Sequence, residues 1–220
     1  MSFSHKVFLQ QKALNDLGFD AGPVDGYSGK KTRAAYNKYV ASKKPKIVVP
    51  EGGLKPPSPW GKTKFFGPHG IKGGYSPPTK KVTVPWKMHL YKETGRVVKT
   101  ISIHKHAAPA LDAFMKELYA ELGDDGIRKY GFHLWYGCYV PRKSRGGSSM
   151  SDHAWAAAID WNAPANGLKR IWSPNKKASN GTYQFSRKIV NLAKKHGFTV
   201  GFKKGTQRRD MMHFAFINRS

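Results

Sequence analysis

Two short stretches of the sequence carry imidazole and carboxylate side chains in otherwise apolar surroundings. The first contains His153 and Asp160, and the second contains Asp210 and His213. Two histidines and one carboxylate satisfy the three protein ligands that a catalytic zinc usually takes, which leaves one position for water. Zinc lowers the pKa of such a water to ~7, and a second carboxylate beside it can act as general base and then as acid. These four side chains are therefore of the right number and kind for a metal-dependent hydrolase.

The spacing of these residues leaves a second interpretation open. A histidine in an apolar strand is more often a hydrogen-bonded core residue than a metal ligand, and a single Asp there is often a turn or cap residue. Seven residues of extended strand would span roughly 23 Å. His153 and Asp160 can therefore share an ion only if the chain turns back, which the three alanines at 156–158 allow. Asp160 lies between Ile159 and Trp161, where a buried carboxylate needs a cation or hydrogen bonds.

Both stretches fit family signatures. The first fits the pattern Ser-x-His-x-x-Gly-x-Ala-x-Asp, with Ser151, His153, Ala158 and Asp160 in place, and the second fits Asp-x-Met-His-Phe. Over roughly residues 85–220 the chain resembles the zinc D-Ala-D-Ala carboxypeptidase and L-alanyl-D-glutamate endopeptidase family, specifically its phage endolysin branch. The stretch Tyr-Val-Pro-Arg that ends at Arg142 is also similar to that branch. The glycine of the family pattern is Ala156 here, a change that can alter the local backbone φ.

The resemblance implies a role for each matching residue. The zinc ligands would be His153, Asp160 and His213, and the catalytic acid and base would be Asp210. Arg142 would stabilise the developing oxyanion and bind substrate carboxylates, with the nearby Arg145 as the alternative. Ser151 would orient the loop that carries the first ligand. Trp155, beside that ligand, is a candidate wall of the substrate cleft or else a core residue.

The first 41 residues resemble a second kind of module. Their Leu-Asn-Asp-Leu-Gly-Phe and Gly-Pro-Val-Asp-Gly-Tyr-Ser-Gly motifs are similar to the peptidoglycan-binding module of three short helices, over about residues 6–41. The pattern predicts helices at about 7–17 and 29–40, joined by a tight turn at Asp25-Gly26. The candidate binding residues are Asp25, Tyr27 and Thr32. A helical hairpin without a binding role is the alternative.

The rest of the chain divides by composition. Residues 42–84 are rich in Pro, Gly and Lys and are predicted to be a linker with only short elements. Residues 85–220 are predicted to form the larger domain. Its predicted helices lie at 109–122 and 186–196, and its predicted strands at 97–103, 132–140, 156–161, 198–202 and 213–217. Because there is no regular βαβ order, we expect an α+β fold with a mainly antiparallel sheet, flanking helices and one catalytic zinc site.

Composition and charge narrow the functional class. The chain has 220 residues, 39% of them hydrophobic, which is enough for a packed core and excludes whole-chain disorder. A net charge of +26 favours a polyanionic partner. The single cysteine, Cys138, excludes an internal disulfide framework and a multi-cysteine zinc module. With no apolar signal region at the N-terminus, we expect synthesis in the host bacterial cytoplasm and release through a membrane lesion made by another protein.

The resemblance implies a phage endolysin, and the positive charge and the absence of an apolar signal region fit that expectation. It would be a zinc peptidase that hydrolyses the L-Ala–D-Glu bond of the peptidoglycan stem peptide and so lyses the bacterial host. The expected partners are peptidoglycan and an anionic outer-membrane surface, with no nucleic acid, and the chain is expected to be a monomer. One alternative is a D-Ala-D-Ala carboxypeptidase of the same fold. Another is a basic protein that binds nucleic acid or an anionic surface, although no nucleic-acid-binding motif supports it.

Overall fold

The computed structural model divides the chain into two compact units, residues 1–46 and 47–220. The structure describes residues 3–43, 55–91, 93–145, 147–168, 170–201 and 210–219. Among these residues no helix has the length and apolar character that a membrane span needs.

The first unit contains two helices, α1 (His5–Asp16) and α2 (Lys30–Lys43). Its small core is formed by Leu14, Ala21 and Ala35, with Phe19 and Tyr39 packed against it. The buried side chain of Gln11 closes the loop between the helices, because its amide donates to Asp25 Oδ1 and Thr32 Oγ1 and its carbonyl accepts from the Gly26 N–H. Both predicted helices are present. The resemblance implies three helices, and the described residues of this unit hold these two.

The second unit has four α-helices in its described residues. They are α3 (Lys62–Phe66), α4 (Ala108–Lys129), α5 (Ala163–Asn166) and α6 (Arg187–Lys195). Helix α4 is interrupted at Gly123, whose φ of 60° and ψ of −175° are not helical, so the helix predicted at 109–122 ends where expected. Helical structure then resumes and runs to Lys129, which the sequence does not predict. Helix α6 begins where the sequence predicts, because the Ser186 hydroxyl accepts from the Ile189 N–H at 3.2 Å.

The helices pack around one six-stranded sheet. Its strands are β1 (Thr79–Leu90), β2 (Glu93–His104), β3 (Leu134–Gly137), β4 (Ala158–Trp161), β5 (Thr199–Val200) and β6 (His213–Ala215). Their order is β2-β1-β3-β4-β6-β5, and only the β1–β3 pairing is parallel. The predicted α+β class is therefore confirmed, and the sheet is mixed because of this one parallel pair.

The segment predicted to be a linker carries regular structure. Its residues 55–84 include α3 and the first part of β1, and they hydrogen-bond with the rest of the second unit. The Gly70 N–H donates to the Ala154 carbonyl at 2.7 Å, and the Asn218 N–H donates to the Pro57 carbonyl at 2.8 Å. Strand β1 buries alternate side chains, namely Val82, Val84, Trp86 and Met88. Proline 85 conceals this pattern in the sequence, and it is tolerated because the β1–β2 register shifts between Thr83 and Met88.

An aromatic cluster on one face of β4 and β6 fixes the position of these two strands. Trp161 is fully buried, with ring centroids 6.2 Å from Phe114, 5.5 Å from Phe132 and 5.2 Å from Phe214. Because successive side chains of a strand point to opposite faces, this packing turns the neighbours Asp160 and His213 to the other face. The core thus positions two of the predicted metal ligands.

Candidate metal centre

Two of the candidate ligands are direct neighbours across the sheet. Strands β4 and β6 are antiparallel, and their register pairs Asp160 with His213 and Ile159 with Phe214. Side chains that are paired in this way on one face lie within contact distance of each other. The distance from Asp160 Oδ1 to His213 Nδ1 is 3.1 Å.

The third candidate ligand comes from a turn just before β4. His153 lies in a 3₁₀ turn, Asp152–Trp155, and Ala156 ends that turn with a φ of 52° and a ψ of 32°. This left-handed residue reverses the chain, so His153 Nε2 lies 3.2 Å from Asp160 Oδ1. The turn back that the spacing requires is therefore present. Ala156 occupies the family's glycine position and adopts the backbone conformation that glycine favours.

The three inward-facing atoms form a nearly equilateral triangle. The sides joining His153 Nε2, Asp160 Oδ1 and His213 Nδ1 measure 3.2, 3.1 and 3.1 Å. Three corners of a tetrahedron around zinc, each about 2.0–2.1 Å from the ion, lie about 3.3–3.4 Å apart. The triangle therefore fits zinc after shifts of about 0.2 Å in each side.

The outer nitrogen of each histidine is already hydrogen-bonded. His153 Nδ1 lies 2.6 Å from the Cys138 carbonyl, and His213 Nε2 lies 3.3 Å from Asp152 Oδ2. Both partners are acceptors, so each outer nitrogen carries a ring proton, and in the neutral ring the inward nitrogen carries the lone pair. Three acceptor atoms then face one point, which is stable only if a cation, either a metal ion or protons, lies between them. The donor set thus fits a divalent metal by its chemistry as well as by its size.

The charges around this point are strongly coupled. Burial opposes ionisation of Asp160, but hydrogen bonds with His153 and His213 outweigh it and hold the pKa of Asp160 well below its usual range. Burial also disfavours a charged His213, yet its bonds to Asp152 and Asp160 raise the pKa of this imidazole to about 9. The site therefore attracts positive charge even though it is buried.

Asp210 lies beside this group and differs from the other acids. It is 8% exposed, and its Oδ1 has no hydrogen-bond partner in the part of the chain that the structure describes. Burial, together with the charge of Asp160, raises the pKa of Asp210 to about 6, against the opposing charges of His213, His153 and Arg145. A carboxylate that changes protonation near neutral pH can serve as a general base and acid.

The two candidate arginines differ in their surroundings. Arg142 is half-buried and donates from Nη1 to the Lys143 carbonyl at 3.0 Å. Arg145 is exposed, and its charge lowers the pKa of Asp210. Ser151 links the arginine segment to the ligand turn through its backbone, because its N–H donates to the Arg142 carbonyl at 3.1 Å and its carbonyl accepts from the Ala154 N–H at 2.8 Å.

Trp155 is buried rather than open to a cleft. It is 5% exposed, its Nε1 donates to the Gly67 carbonyl at 3.0 Å, and Lys62 Nζ lies 4.4 Å from the centre of its ring. These contacts give the indole a packing role. Its role as a substrate-binding wall stays a prediction.

The predicted binding residues of the first unit have mixed environments. Asp25 Oδ1 accepts from the Tyr27 N–H and from Gln11, which together hold its pKa below the usual value. Thr32 is buried and donates to the Ala21 carbonyl at 3.1 Å. Tyr27 is 41% exposed. A surface depression of about 340 Å³ in this unit is lined by Gln10, Ser28, Thr32, Arg33, Tyr36 and Asn37.

The sequence does not predict the groups that hydrogen-bond to the outer nitrogens of the two ligand histidines. Asp152, which accepts from His213, occupies an unspecified position of the family pattern. Its own partners Lys62 and Arg219 come from the predicted linker and from near the end of the chain. The sequence carries no local signal for such long-range ion pairs. The Cys138 carbonyl, which fixes His153, is a backbone atom that any residue could supply.

The matched part of the chain coincides with this site. Residues 145–216 match the family model described as D-alanyl-D-alanine carboxypeptidase. No curated protein and no solved structure matches the chain. The matched segment includes all three candidate ligands and Asp210, and Arg142 lies just outside it. The match and the His153, Asp160 and His213 group together support a zinc-dependent peptidase of the kind that this family model describes.

Proposed function

We propose that this protein is a zinc peptidase that cuts the stem peptide of bacterial peptidoglycan. The observation that carries the proposal is the convergence of three acceptor atoms on one point, within a segment that matches a peptidase family. A metal ion at this point would satisfy all three atoms at once, while each histidine keeps the hydrogen bond on its outer nitrogen. A buried carboxylate with a raised pKa beside the cluster adds the proton carrier that peptide hydrolysis requires.

Each group of residues at the site has a separate role in the proposed hydrolysis. A zinc ion held by the three ligands would supply Lewis-acid polarisation and an acidified water. Asp210 accepts a proton from the attacking water and then delivers it to the leaving amine, which its pKa of about 6 permits. Arg145 or Arg142 stabilises negative charge on the scissile carbonyl oxygen and binds substrate carboxylates. Cys138 and Asp152 keep the two imidazoles in the required orientation.

The bond that we propose is the one between L-Ala and D-Glu, which would make the protein an endolysin that lyses its host. An Asp rather than a Glu at the acid and base position supports this choice by resemblance. The second candidate, a D-Ala-D-Ala carboxypeptidase, is favoured by the description of the matching family. Both activities act on substrates with free carboxylates, to which a chain of charge +26 is attracted.

We further propose that the first unit binds peptidoglycan. The surface depression around Thr32, Arg33 and Tyr36 offers a cation, an aromatic ring and hydrogen-bonding groups, which suit the sugars and carboxylates of this polymer. The hydrogen bond from the buried Gln11 to the exposed Asp25 would then shape the loop without touching the ligand. An anionic outer-membrane surface is a further proposed partner of the basic chain. The proposed setting is the host cytoplasm followed by release to the wall.

Digestion of purified peptidoglycan tests the activity and the bond together. The protein is compared before and after chelation and after zinc is restored, and the new chain ends are identified by mass spectrometry. We expect new D-Glu amino termini that disappear with the chelator and return with zinc. Release of D-Ala would instead establish the carboxypeptidase. The absence of any product from the zinc-loaded protein would contradict both peptidase activities.

A further inference from the structure

A buried carboxylate outside the predicted ligand set holds one of the ligands. Asp152 is 4% exposed, and its Oδ2 lies 3.3 Å from His213 Nε2. The same carboxylate receives two cations, since Lys62 Nζ lies 3.0 Å from Oδ1 and the Arg219 guanidinium donates to Oδ2. These contacts occupy both carboxylate oxygens, with Lys62 at Oδ1 and with His213 and Arg219 at Oδ2, so Asp152 has little freedom to rotate.

The lysine in this group is itself held in place. Lys62 Nζ also lies 3.5 Å from the Met150 carbonyl and 4.4 Å from the centre of the Trp155 ring. Its side chain is 13% exposed, whereas the lysine of the surface pair Lys116–Asp112 is 54% exposed. A shielded ion pair is screened far less by salt than a surface pair, so it can transmit a geometric constraint.

A carboxylate in this position constrains the histidine. By accepting from Nε2–H, it fixes the ring protonation so that the lone pair on Nδ1 faces Asp160 and His153, and it fixes the ring orientation as well. It also makes the imidazole a stronger electron donor. The two cations offset the cost of burying the negative charge.

We propose that Asp152 is a positioning residue that sets the metal affinity of the site through His213, and that Lys62 and Arg219 act through Asp152. This inference rests on the proposed function in one respect, that the three ligands bind a zinc ion. Its new content is that two cations remote in sequence, one in α3 and one near the end of the described residues, control a metal ligand through the carboxylate that both of them contact.

The test is the zinc affinity of the full chain, measured by competition with a chelating indicator. Asp152→Ala is expected to weaken zinc binding about 10- to 100-fold. Lys62→Met keeps the apolar stem over Trp155 and is expected to weaken binding less, about 3- to 10-fold, because the carboxylate remains. The matched controls are Asp112→Ala and Lys116→Met, which remove the same charges from the exposed pair and are expected to leave zinc affinity unchanged.

A double variant separates positioning from a general effect on structure. If Lys62 acts through Asp152, Lys62→Met will cause no further loss of zinc affinity in the Asp152→Ala background. If the two substitutions instead damage the structure independently, their losses of zinc affinity will add in the double variant. Cobalt substitution gives a second measure, because the visible absorption of the bound cobalt is expected to change in Asp152→Ala and to stay the same in Asp112→Ala.

The outcomes distinguish this inference from the proposed function. If the unmodified protein fails to bind zinc, the proposed function is wrong. If it binds zinc and both Asp152→Ala and Lys62→Met bind equally well, only the positioning role is overturned. If Asp152→Ala does not fold, Lys62→Met decides alone, and an affinity equal to that of Lys116→Met contradicts the inference.

Discussion

The hydrogen bonds on the outer side of each imidazole determine what the inner side can do. The Cys138 carbonyl and the Asp152 carboxylate both accept from the histidines, which directs two lone pairs toward Asp160 Oδ1. Residue types and spacing in the sequence predict the ligands and the nearby acid. They do not predict these outer bonds, because one partner is a backbone atom and the other is held by residues far away in the chain.

Asp210 is expected to carry the proton without holding the metal. Asp210→Asn keeps the size of the side chain but cannot accept a proton, so kcat/KM should fall about 10²- to 10⁴-fold. Zinc content, measured by metal analysis of the purified variant, should remain equal to that of the unmodified protein. Near-full hydrolytic activity in a zinc-loaded Asp210→Asn would contradict the proposed role.

The two arginines can be separated by pH dependence. Asp210 must be ionised to act as a base, so activity should fall as pH drops through its pKa, at or below about 6 because a bound cation lowers this value further. The charge of Arg145 also lowers this pKa, and Arg145→Gln should therefore move the acid limb of the kcat/KM profile to higher pH. Arg142→Gln is the matched control and should leave that limb in place. An acid limb that moves only in Arg142→Gln would show that Arg142, and not Arg145, is the arginine whose charge lowers the pKa of Asp210.

At the scale of the elements, the sequence predicts helix ends, which local residue patterns determine. It does not predict strands that can be recognised only from their pairing with neighbouring strands. Helix α6 and the stop at Gly123 follow from a cap residue and a glycine, which are local signals. Strand β1 was missed because Pro85 and several lysines hide its alternation, and because only its neighbours show that it is a strand. The reversal at Ala156 was required by spacing, but its left-handed conformation depends on the packing around it.

The turn at Ala156 should carry measurable backbone strain. Ala156 and Ala157 are both fully buried, but only Ala156 has a positive φ. Substitution by glycine removes one methyl from either site, at roughly 0.8 kcal/mol. At Ala156 it also relieves a left-handed conformation that costs roughly 1–2 kcal/mol. On these figures the unfolding free energy from urea denaturation should be unchanged or higher in Ala156→Gly and lower in Ala157→Gly. A larger fall in Ala156→Gly than in Ala157→Gly would contradict the strain.

The contact of His104 in β2 with α3 should make the free energy of unfolding depend on pH between about 6.5 and 4. His104 is fully buried, Nε2 lies 3.0 Å from the Phe66 carbonyl, and Nδ1 accepts from the His106 N–H at 3.2 Å. Both nitrogens are thus used by the neutral ring, and burial, with the charge of His106, lowers the pKa of His104 to about 4.

In the unfolded chain the His104 ring binds its second proton near pH 6.5, whereas in the folded chain it does so only near pH 4. The stability that the folded protein gains from the neutral His104 ring is therefore complete above pH 6.5 and is lost as pH falls toward 4. The expected loss is roughly 3 kcal/mol. His104→Gln keeps a donor and an acceptor but does not titrate. In the presence of a chelator, its unfolding free energy should fall less steeply between pH 6.5 and 4 than that of the unmodified protein. Equal slopes would show that His104 does not titrate on unfolding.

At the scale of the whole molecule, the chain combines a unit that carries the candidate metal centre with a small helical unit and a large positive charge. The charge predicts attraction to an anionic polymer but does not identify one. The family match covers residues 145–216, so the proposed activity rests on the second unit, and the proposed wall binding rests on the first. The fold class and the grouping of His153, Asp160 and His213 were predictable because their signals lie within short stretches of the sequence. The ion pairs that link distant segments were not.

The most direct test of the account is zinc reconstitution of the metal-free protein, with bound metal and peptidoglycan hydrolysis measured on the same samples. The account predicts that hydrolysis rises in proportion to bound zinc and reaches its maximum at about one ion per chain. His153→Ala should bind zinc weakly and remain inactive at the same zinc concentration. Hydrolysis by the metal-free protein, or full activity of His153→Ala, would contradict a catalytic zinc site formed by His153, Asp160 and His213.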